Sequence, residues 1–245
     1  MKIVVIDAGH GGKEPGAVGN GLREKDITLE ISTEVARRLQ EEYEGVRCLL
    51  TRSTDLHLEL EDRTDMANRA KADLLLSIHV NAGGGAGGFE SFTYNGISDA
   101  KTSAYQNVLH TEIMAQLNKF GVIDRGQKKK NFHMVREGSM PSVLTECLFI
   151  DVAADASRLK RAEVIEAFII GHLNGIVKFL GLKRKESDTL ELTKNQRDML
   201  VTTLQDLVKR GVISDKTWIE KAEKGTLTVS ELTWLNTIIF SRVAK

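Results

Sequence analysis

Two hydrophobic periodicities alternate along the first three quarters of the chain. Short continuous apolar runs predict buried strands, and apolar residues that return every three or four positions predict amphipathic helices. The predicted strands are the opening run that stops at Gly9 and residues 46–50, 74–80, 89–94, 132–135 and 142–149. The predicted helices are one capped by Asp26 and ended by Gly45, and residues 58–70, 98–120 and 159–180. The opening order of strand, helix, strand, helix, strand favours a parallel sheet with right-handed crossovers.

The last fifth of the chain has a different pattern, with three short helices and no strand signal. Two of these helices begin at capping boxes, Thr193 with Gln196 and Thr228 with Glu231, and Ser214 is the predicted cap of the helix between them. We therefore predict a first domain at residues 1–181, a charged linker at 182–188 and a small all-α module at 189–245. So small a core is marginal, so docking onto the first domain, onto a second copy of the chain or onto a surface would stabilise it.

Composition narrows the range of partners. The 245 residues carry 34 basic and 34 acidic side chains, so no overall field draws the chain to nucleic acid or to an anionic membrane. No apolar run approaches the roughly 18 to 20 residues that a membrane span needs, and the N-terminus does not resemble a signal peptide. Cys48 and Cys147 lie in apolar runs and are predicted to be buried reduced thiols.

Two histidines stand where predicted strands end. His10 follows the first strand between glycines, and His79 lies just before a glycine-rich break. Glu24 is predicted on a loop ahead of the first helix, facing the same edge of the sheet. Two imidazoles and one carboxylate form a three-ligand zinc set that leaves the fourth position to water. The alternative is that each histidine is a separate surface or core residue, and spacing alone leaves the two interpretations about even.

Glu146 stands inside an apolar run, Val143-Leu-Thr-Glu-Cys-Leu-Phe-Ile150, where an unpaired carboxylate is costly to bury. One interpretation makes it a general base that takes a proton from a metal-bound water and passes it to a leaving amine. The other pairs it with an Arg or Lys across the sheet. The sequence gives the two about equal weight.

Eight motifs, in order, carry a resemblance to a known family. They are Asp7-Ala-Gly-His-Gly-Gly12, Gly21-x-x-Glu24-Lys-Asp26, Thr51-Arg52 with Asp55, Arg63 with Ala67-Asn68, Ala72-Asp73, Ser77-Ile-His79-x-Asn81-Ala82, Gly88-Phe-Glu90 and Met140-Pro-Ser-Val-Leu-x-Glu146. From Lys2 to about Leu180 the chain resembles the zinc-dependent N-acetylmuramoyl-L-alanine amidases of the LytC or amidase-3 type.

The resemblance carries specific expectations. It implies an α/β fold with a mixed, mostly parallel sheet and helices on both faces. His10, Glu24 and His79 become the Zn²⁺ ligands and Glu146 the catalytic glutamate. The bond cut would be the amide between the lactyl group of N-acetylmuramic acid and the L-alanine of the stem peptide in peptidoglycan. Asn81, Arg125 and Lys128 are predicted to contact substrate, the last two from a basic loop at 121–130, although such a charge run is more often simply solvated.

The segment after Glu146 departs from the family pattern. The family usually has Glu-x-Gly-Phe-Ile-Ser-Asn there, whereas this chain has Leu148 in place of the glycine and Asp151-Val152 in place of Ser-Asn. We expect these differences to change the shape of the sheet edge beside Glu146 but to leave its carboxylate in position. Between Gly88 and Lys130 we find no insertion long enough to lie over the zinc, so the site is predicted to be open.

The expected biological role is that of a phage endolysin. A wall hydrolase without an export signal would stay in the host cytoplasm until lysis and then act on the cell wall of a Gram-positive bacterium, with residues 189–245 binding the wall or self-associating. Two alternatives are a zinc peptidase that cuts within the stem peptide and a non-catalytic wall-binding protein. The complete set of His10, Glu24, His79 and Glu146 argues against the second of these.

Overall fold

The computed structural model describes residues 1–96, 99–185 and 189–243. The chain divides into two units, Met1–Arg184 and Lys185–Lys245. The boundary falls within the predicted linker at 182–188, of which residues 186–188 lie outside the described residues.

The strands of the first unit build one six-stranded sheet and a small hairpin. They are β1 (Lys2–Ala8), β2 (Val18–Gly19), β3 (Leu22–Arg23), β4 (Val46–Leu50), β5 (Leu74–Asn81), β6 (Phe89–Thr93), β7 (Asp124–Lys129) and β8 (Ser142–Phe149). The sheet has the order β4-β1-β5-β8-β6-β7, and β2 pairs with β3. Strands β4, β1, β5 and β8 are mutually parallel, whereas β6 pairs antiparallel with β8 and parallel with β7. This confirms the predicted mixed, mostly parallel sheet.

Helices cover both faces of this sheet, as predicted. The helices of the unit are α1 (Glu24–Glu42), α2 (Leu60–Arg69), α3 (Ala100–Leu117), α4 (His133–Arg136), α5 (Ala153–Leu159) and α6 (Ala162–Leu180). Alternate residues of β5 point to opposite faces. Leu74, Leu76 and Ile78 pack in the large core with α1, α3 and α6, whereas Leu75 packs with residues of α2 and α4.

Two predicted elements are wrong, and one short helix was not predicted. Residues 124–129 form a strand rather than a basic loop, because their charged side chains suit the solvated edge of a sheet. The apolar stretch at 132–135 lies in helix α4 rather than in a strand, since so short a run has no distinctive period. The helix predicted at 159–180 is present as α6 and begins at Ala162, whereas the separate short helix α5 just before it was not predicted.

The second unit contains three helices, α7 (Lys194–Lys209), α8 (Thr217–Lys224) and α9 (Val229–Val243). Both predicted capping boxes are present, and α8 has its N-cap at Lys216 rather than at Ser214. The unit has its own core, made of Leu204, Ile213, Trp218, Ala222, Leu227 and Leu235. Trp234 is 58% exposed and lies 5.7 Å from Trp218 between ring centroids. None of the helices in the described part of the chain could serve as a membrane span.

Candidate metal centre and active site

His10 lies in a loop of unusual backbone conformation just after β1. Its φ is 61°, in the left-handed region, and Gly11 and Gly12 continue the turn at 133° and 55°. Gly9 allows close packing, because a Cβ there would lie 2.5 Å from Cε1 of His79. The absence of a side chain at Gly9 therefore leaves space for the imidazole of His79.

Two buried arginines hold this loop through its carbonyl oxygens. Arg63, on α2, donates to the carbonyls of Ala8 and His10 at 2.8 Å and forms an ion pair with Asp7 at 2.9 Å. Arg52 donates to the carbonyls of Ala8 and Gly9, each at 2.9 Å. Both arginines are 2% exposed, so their hydrogen bonds replace those that water would otherwise make. The hydrogen bonds from Arg63 on α2 and from Arg52, which follows β4, thus fix the left-handed backbone conformation at His10.

Glu24 is the first residue of α1, which corrects its predicted place on a loop ahead of a helix capped by Asp26. Asp26 is the third residue of the helix rather than its cap, and its carboxylate accepts a hydrogen bond from Arg23 Nε at 2.6 Å. Glu24 Oε1 accepts from the backbone N–H of Val80 at 3.0 Å, and Oε2 accepts from that of Ala17 at 2.7 Å. The carboxylate is therefore held rigidly at both oxygens.

The same carboxylate lies between the two imidazoles. His79 Nδ1 is 2.9 Å from Glu24 Oε1, and His10 Nε2 is 3.2 Å from Glu24 Oε2. Burial opposes ionisation of Glu24, but the hydrogen bonds from His10 and His79 outweigh it and hold the Glu24 pKa well below its usual value. Burial likewise disfavours the charged form of His79, but Glu24 outweighs it and raises the His79 pKa to about 9.

The three side chains suit a metal ion. One ligand atom from each of His10, Glu24 and His79 lies within 4.8 Å of the other two, and the imidazole rings stand edge to face with centroids 5.1 Å apart. Two imidazole nitrogens and a carboxylate oxygen are a zinc donor set. The alternative in which each histidine has a separate location does not describe this structure, because the two lie together around Glu24.

Glu146 lies beside this group on the same face of the sheet. Its register partner on β5 is His79, and its partner on β6 is Glu90. The residue is half-buried, yet its Oε2 is shielded from solvent and accepts no hydrogen bond from any described residue. Burial raises the Glu146 pKa to about 8. Within the described ranges no Arg or Lys forms an ion pair with it, which removes the support for the alternative of a cross-sheet pair.

The three residues predicted to contact substrate converge on one carboxylate, that of Glu90. Asn81 Nδ2 donates to Glu90 Oε1 at 2.7 Å, and Glu90 Oε2 accepts from Arg125 Nε at 2.8 Å and from Lys128 Nζ. Glu90 belongs to the motif Gly88-Phe-Glu90 but was assigned no role from the sequence, and it is 4% exposed. Like Glu146, Glu90 is a carboxylate inside an apolar run, and this feature could have identified it from the sequence. Substrate contact by Asn81, Arg125 and Lys128 stays a prediction.

Leu148, which departs from the family pattern, occupies a strained position. Its φ is 71°, and the pairing of β5 with β8 shifts between His79 and Asn81. The register places Asn81 opposite Phe149, so β8 bulges at residues 147–148. A left-handed conformation costs a non-glycine residue about 1–2 kcal/mol. Leu148 offsets part of this cost because its side chain is fully buried in the main core.

The remaining histidines lie away from this group. His172 accepts from or donates to Thr145 Oγ1 at 3.0 Å and lies 2.8 Å from the carbonyl of Phe168, inside the main core. Burial lowers its pKa to about 4, so it is neutral at pH 7. His110 is buried between Ser91 and Asp124. Both histidines therefore have structural surroundings.

Comparison with known proteins agrees with this geometry. Residues 4–178 match the family model described as N-acetylmuramoyl-L-alanine amidase (Amidase_3). A sporulation-specific N-acetylmuramoyl-L-alanine amidase of Bacillus subtilis is 46% identical over 190 residues, which are 78% of this chain and 72% of that protein. An endolysin of Bacillus phage SPP1 is 45% identical over 185 residues, which are 75% of this chain and 68% of the endolysin.

A solved structure has the same fold. The catalytic domain of CwlV, an N-acetylmuramoyl-L-alanine amidase from Bacillus (Paenibacillus) polymyxa var. colistinus, superposes with a TM-score of 0.69 at 34% identity. The match covers 75% of this chain and 100% of that domain. By sequence and by fold, the chain belongs to the N-acetylmuramoyl-L-alanine amidase family.

Proposed function

We propose that this protein hydrolyses the amide bond between N-acetylmuramic acid and the L-alanine of the peptidoglycan stem peptide, with zinc as cofactor. The observation that carries the proposal is the arrangement of His10, Glu24 and His79 around one point, with the unpartnered Oε2 of Glu146 beside it. Family membership supports the choice of bond.

His10, Glu24 and His79 would hold the zinc ion. Zinc at such a site polarises a carbonyl and lowers the pKa of a coordinated water to about 7. The buried ion pair of Arg63 with Asp7 and the backbone hydrogen bonds to Glu24 keep the three ligands in place. Because Glu24 is fixed at both oxygens, it needs little rearrangement to bind a cation.

Glu146 would act as the proton carrier of the reaction. A zinc ion bound by the three ligands would favour the carboxylate form of Glu146 against the protonated form that burial favours. As a carboxylate, Glu146 accepts the proton of the attacking water while a C–O bond forms at the lactyl carbonyl carbon. It then gives this proton to the alanine nitrogen as the C–N bond breaks. The products are the lactyl carboxylic acid and the free amino group of L-alanine, so atoms and charges balance.

Replacing Glu146 tests this mechanism. We expect Glu146→Gln and Glu146→Ala to lower kcat on purified cell walls by about 10²- to 10⁴-fold, because general base catalysis is lost. Zinc content should stay at one ion per chain. Glu30→Gln, at an exposed position on α1, is the matched control and should leave kcat unchanged. Retained activity of Glu146→Ala with zinc bound would remove Glu146 from the mechanism.

Analysis of the new amino termini separates this activity from its nearest alternative. Amide hydrolysis at the lactyl group releases L-alanine termini, whereas a zinc peptidase acting within the stem peptide releases other residues. A chain without hydrolytic activity would release neither. The appearance of a terminus other than L-alanine would therefore favour the peptidase.

We also propose a biological role in phage lysis of a Gram-positive host. Similarity to the endolysin of Bacillus phage SPP1 supports it. The enzyme would stay in the host cytoplasm until a separate pore releases it to the cell wall. Co-expression with and without a pore-forming protein in a Gram-positive host tests this role, and lysis without the pore would contradict it.

Residues 189–245 are proposed to form a separate module that binds the wall, with self-association as the competing role. The exposed indole of Trp234 supports a binding surface. We expect Trp234→Ala in the full chain to reduce pelleting with purified walls at least several-fold, since aromatic side chains supply much of the energy of such surfaces. Unchanged pelleting together with a smaller sedimentation coefficient would instead indicate self-association.

A further inference from the structure

A row of polar side chains crosses the sheet next to Glu146. Asn81 lies on β5 and Glu90 on β6, and these strands are on opposite sides of β8. The 2.7 Å hydrogen bond from Asn81 Nδ2 to Glu90 Oε1 therefore passes over β8. Arg125 and Lys128, both on β7, extend the row from the other side of Glu90. We call Asn81, Glu90, Arg125 and Lys128 the polar strap.

The polar strap crosses β8 at its bulge. Glu90 is the register partner of Glu146, and Asn81 is the partner of Phe149, so the crossing lies over residues 146–149. The guanidinium carbon of Arg125 lies 4.6 Å from the centre of the Phe149 ring. The strap thus covers the stretch of backbone that sets the direction of the Glu146 side chain.

Both oxygens of the carboxylate at the centre of the polar strap accept hydrogen bonds. Glu90 is buried, and its two oxygens receive hydrogen bonds from three donors. Asn81 Oδ1 accepts from the backbone N–H of Ala82 at 2.8 Å, so both ends of its amide are in use. The polar atoms of Asn81 are therefore directed at Glu90 and at its own backbone.

We propose that Asn81 and Glu90 are positioning residues for amide hydrolysis, which hold the bulge of β8 so that Glu146 keeps its direction toward the reacting water. The inference rests on the proposed function. A bulge at the carboxyl end of a strand, carrying a left-handed leucine, needs external support to keep one conformation. The hydrogen bond across β8 gives that support without using the three candidate metal ligands.

A double-mutant cycle tests the proposal. We expect Asn81→Ala and Glu90→Ala each to lower kcat by about 10- to 100-fold, the cost of a small misplacement of a catalytic group. KM should change less than about threefold, and zinc content should stay at one ion per chain. The double variant should be no slower than the slower single variant, because both changes break one hydrogen bond. Glu90→Gln should restore part of the activity, since it keeps the acceptor for Asn81.

Hydrogen exchange gives a readout independent of turnover. Backbone amides of residues 146–150 should exchange faster in Asn81→Ala and Glu90→Ala than in the unaltered protein. Asn68→Ala is the matched control, because Asn68 also donates to and accepts from a loop, through Glu137 and Ser139, away from Glu146. This control should change neither kcat nor exchange at 146–150.

Three results would overturn the inference: full activity of Asn81→Ala, kcat losses that multiply in the double variant, or loss of zinc from the single variants. Its failure is distinguishable from failure of the proposed function. If Glu146→Gln is inactive while Asn81→Ala is fully active, only the positioning role is wrong. If Glu146→Gln is fully active, the proposed mechanism is wrong as well.

Discussion

Gly9 leaves space for the ring of His79 because it has no side chain. We expect Gly9→Ala to weaken zinc binding strongly, because its Cβ would enter the space of the His79 ring, 2.5 Å from Cε1. A change beside the ligands of a metal site commonly lowers its metal affinity by a factor of about 10 to 100. Competition with a zinc chelator of known affinity measures the effect.

The matched control for this prediction is Gly171→Ala on α6. There too a Cβ would be crowded, at 2.6 Å from Cα of Ile113, but between helices α3 and α6 rather than against His10 or His79. We expect the control to lower the free energy of unfolding without changing zinc affinity. Equal zinc affinities in Gly9→Ala and in the unaltered protein would contradict the role given to Gly9.

At the residue scale the sequence predicted the candidate site because each member interrupts a pattern. His10 and His79 stand at glycine breaks, and Glu146 stands in an apolar run. The partners of Glu90 could not be predicted in the same way. Arg125 and Lys128 are 35 and 38 residues away, and they reach Glu90 only because β7 pairs with β6.

At the element scale, His172 joins helix α6 to strand β8 through Thr145. Its pKa is about 4 in the folded protein, below the ordinary 6.5, because burial disfavours the imidazolium. Above pH 6.5 the residue is neutral in both folded and unfolded chains, and its contribution to stability is complete. As the pH falls from about 6.5 to about 4, the unfolded chain takes up the proton first and stability declines.

We therefore expect the free energy of unfolding to fall more steeply with decreasing pH in this window than in His172→Gln. The difference in slope should approach about 1.4 kcal/mol per pH unit. Glutamine keeps a donor for the Phe168 carbonyl and an acceptor for Thr145, but it does not titrate. Urea unfolding of both proteins between pH 4 and pH 7 measures the slopes, and equal slopes would show that the histidine does not cause the decline.

Helices and strands could be predicted where the hydrophobic periodicity or the capping signal in the sequence was clear. The strand at 142–149 and the capping boxes at Thr193 and Thr228 lie where the sequence placed them. Strand β7 was missed because five of its six residues are polar or charged, and only the neighbouring strand makes it extended. The start of α1 was misplaced because the N-cap residue, Arg23, makes no side-chain cap hydrogen bond and so gives no capping signal in the sequence.

At the scale of the whole molecule, the two units have separate hydrophobic cores. The order of strands and helices predicted the class of the first unit, and the periodicity change near residue 189 predicted the second. The antiparallel pairing of β6 with β8 could not be predicted from the hydrophobic periodicity, because alternating apolar and polar residues fit a strand of either direction.

Separate cores predict separate thermal transitions. Both tryptophans, Trp218 and Trp234, lie in the unit Lys185–Lys245, so tryptophan fluorescence reports only that unit. We expect zinc to raise the midpoint of the main far-UV circular dichroism transition, by linkage to the folded state that binds it. The fluorescence midpoint should not move. A single transition that shifts by the same amount in both signals would contradict separate unfolding.

Both cysteines are buried and free, and burial raises the pKa of each thiol, that of Cys48 to about 12. A thiol that stays protonated reacts slowly with oxidants and with other disulfides. The fold therefore has no covalent cross-link to gain or to lose when its surroundings change from reducing to oxidising. Such a protein keeps the same covalent structure in reducing and in oxidising surroundings.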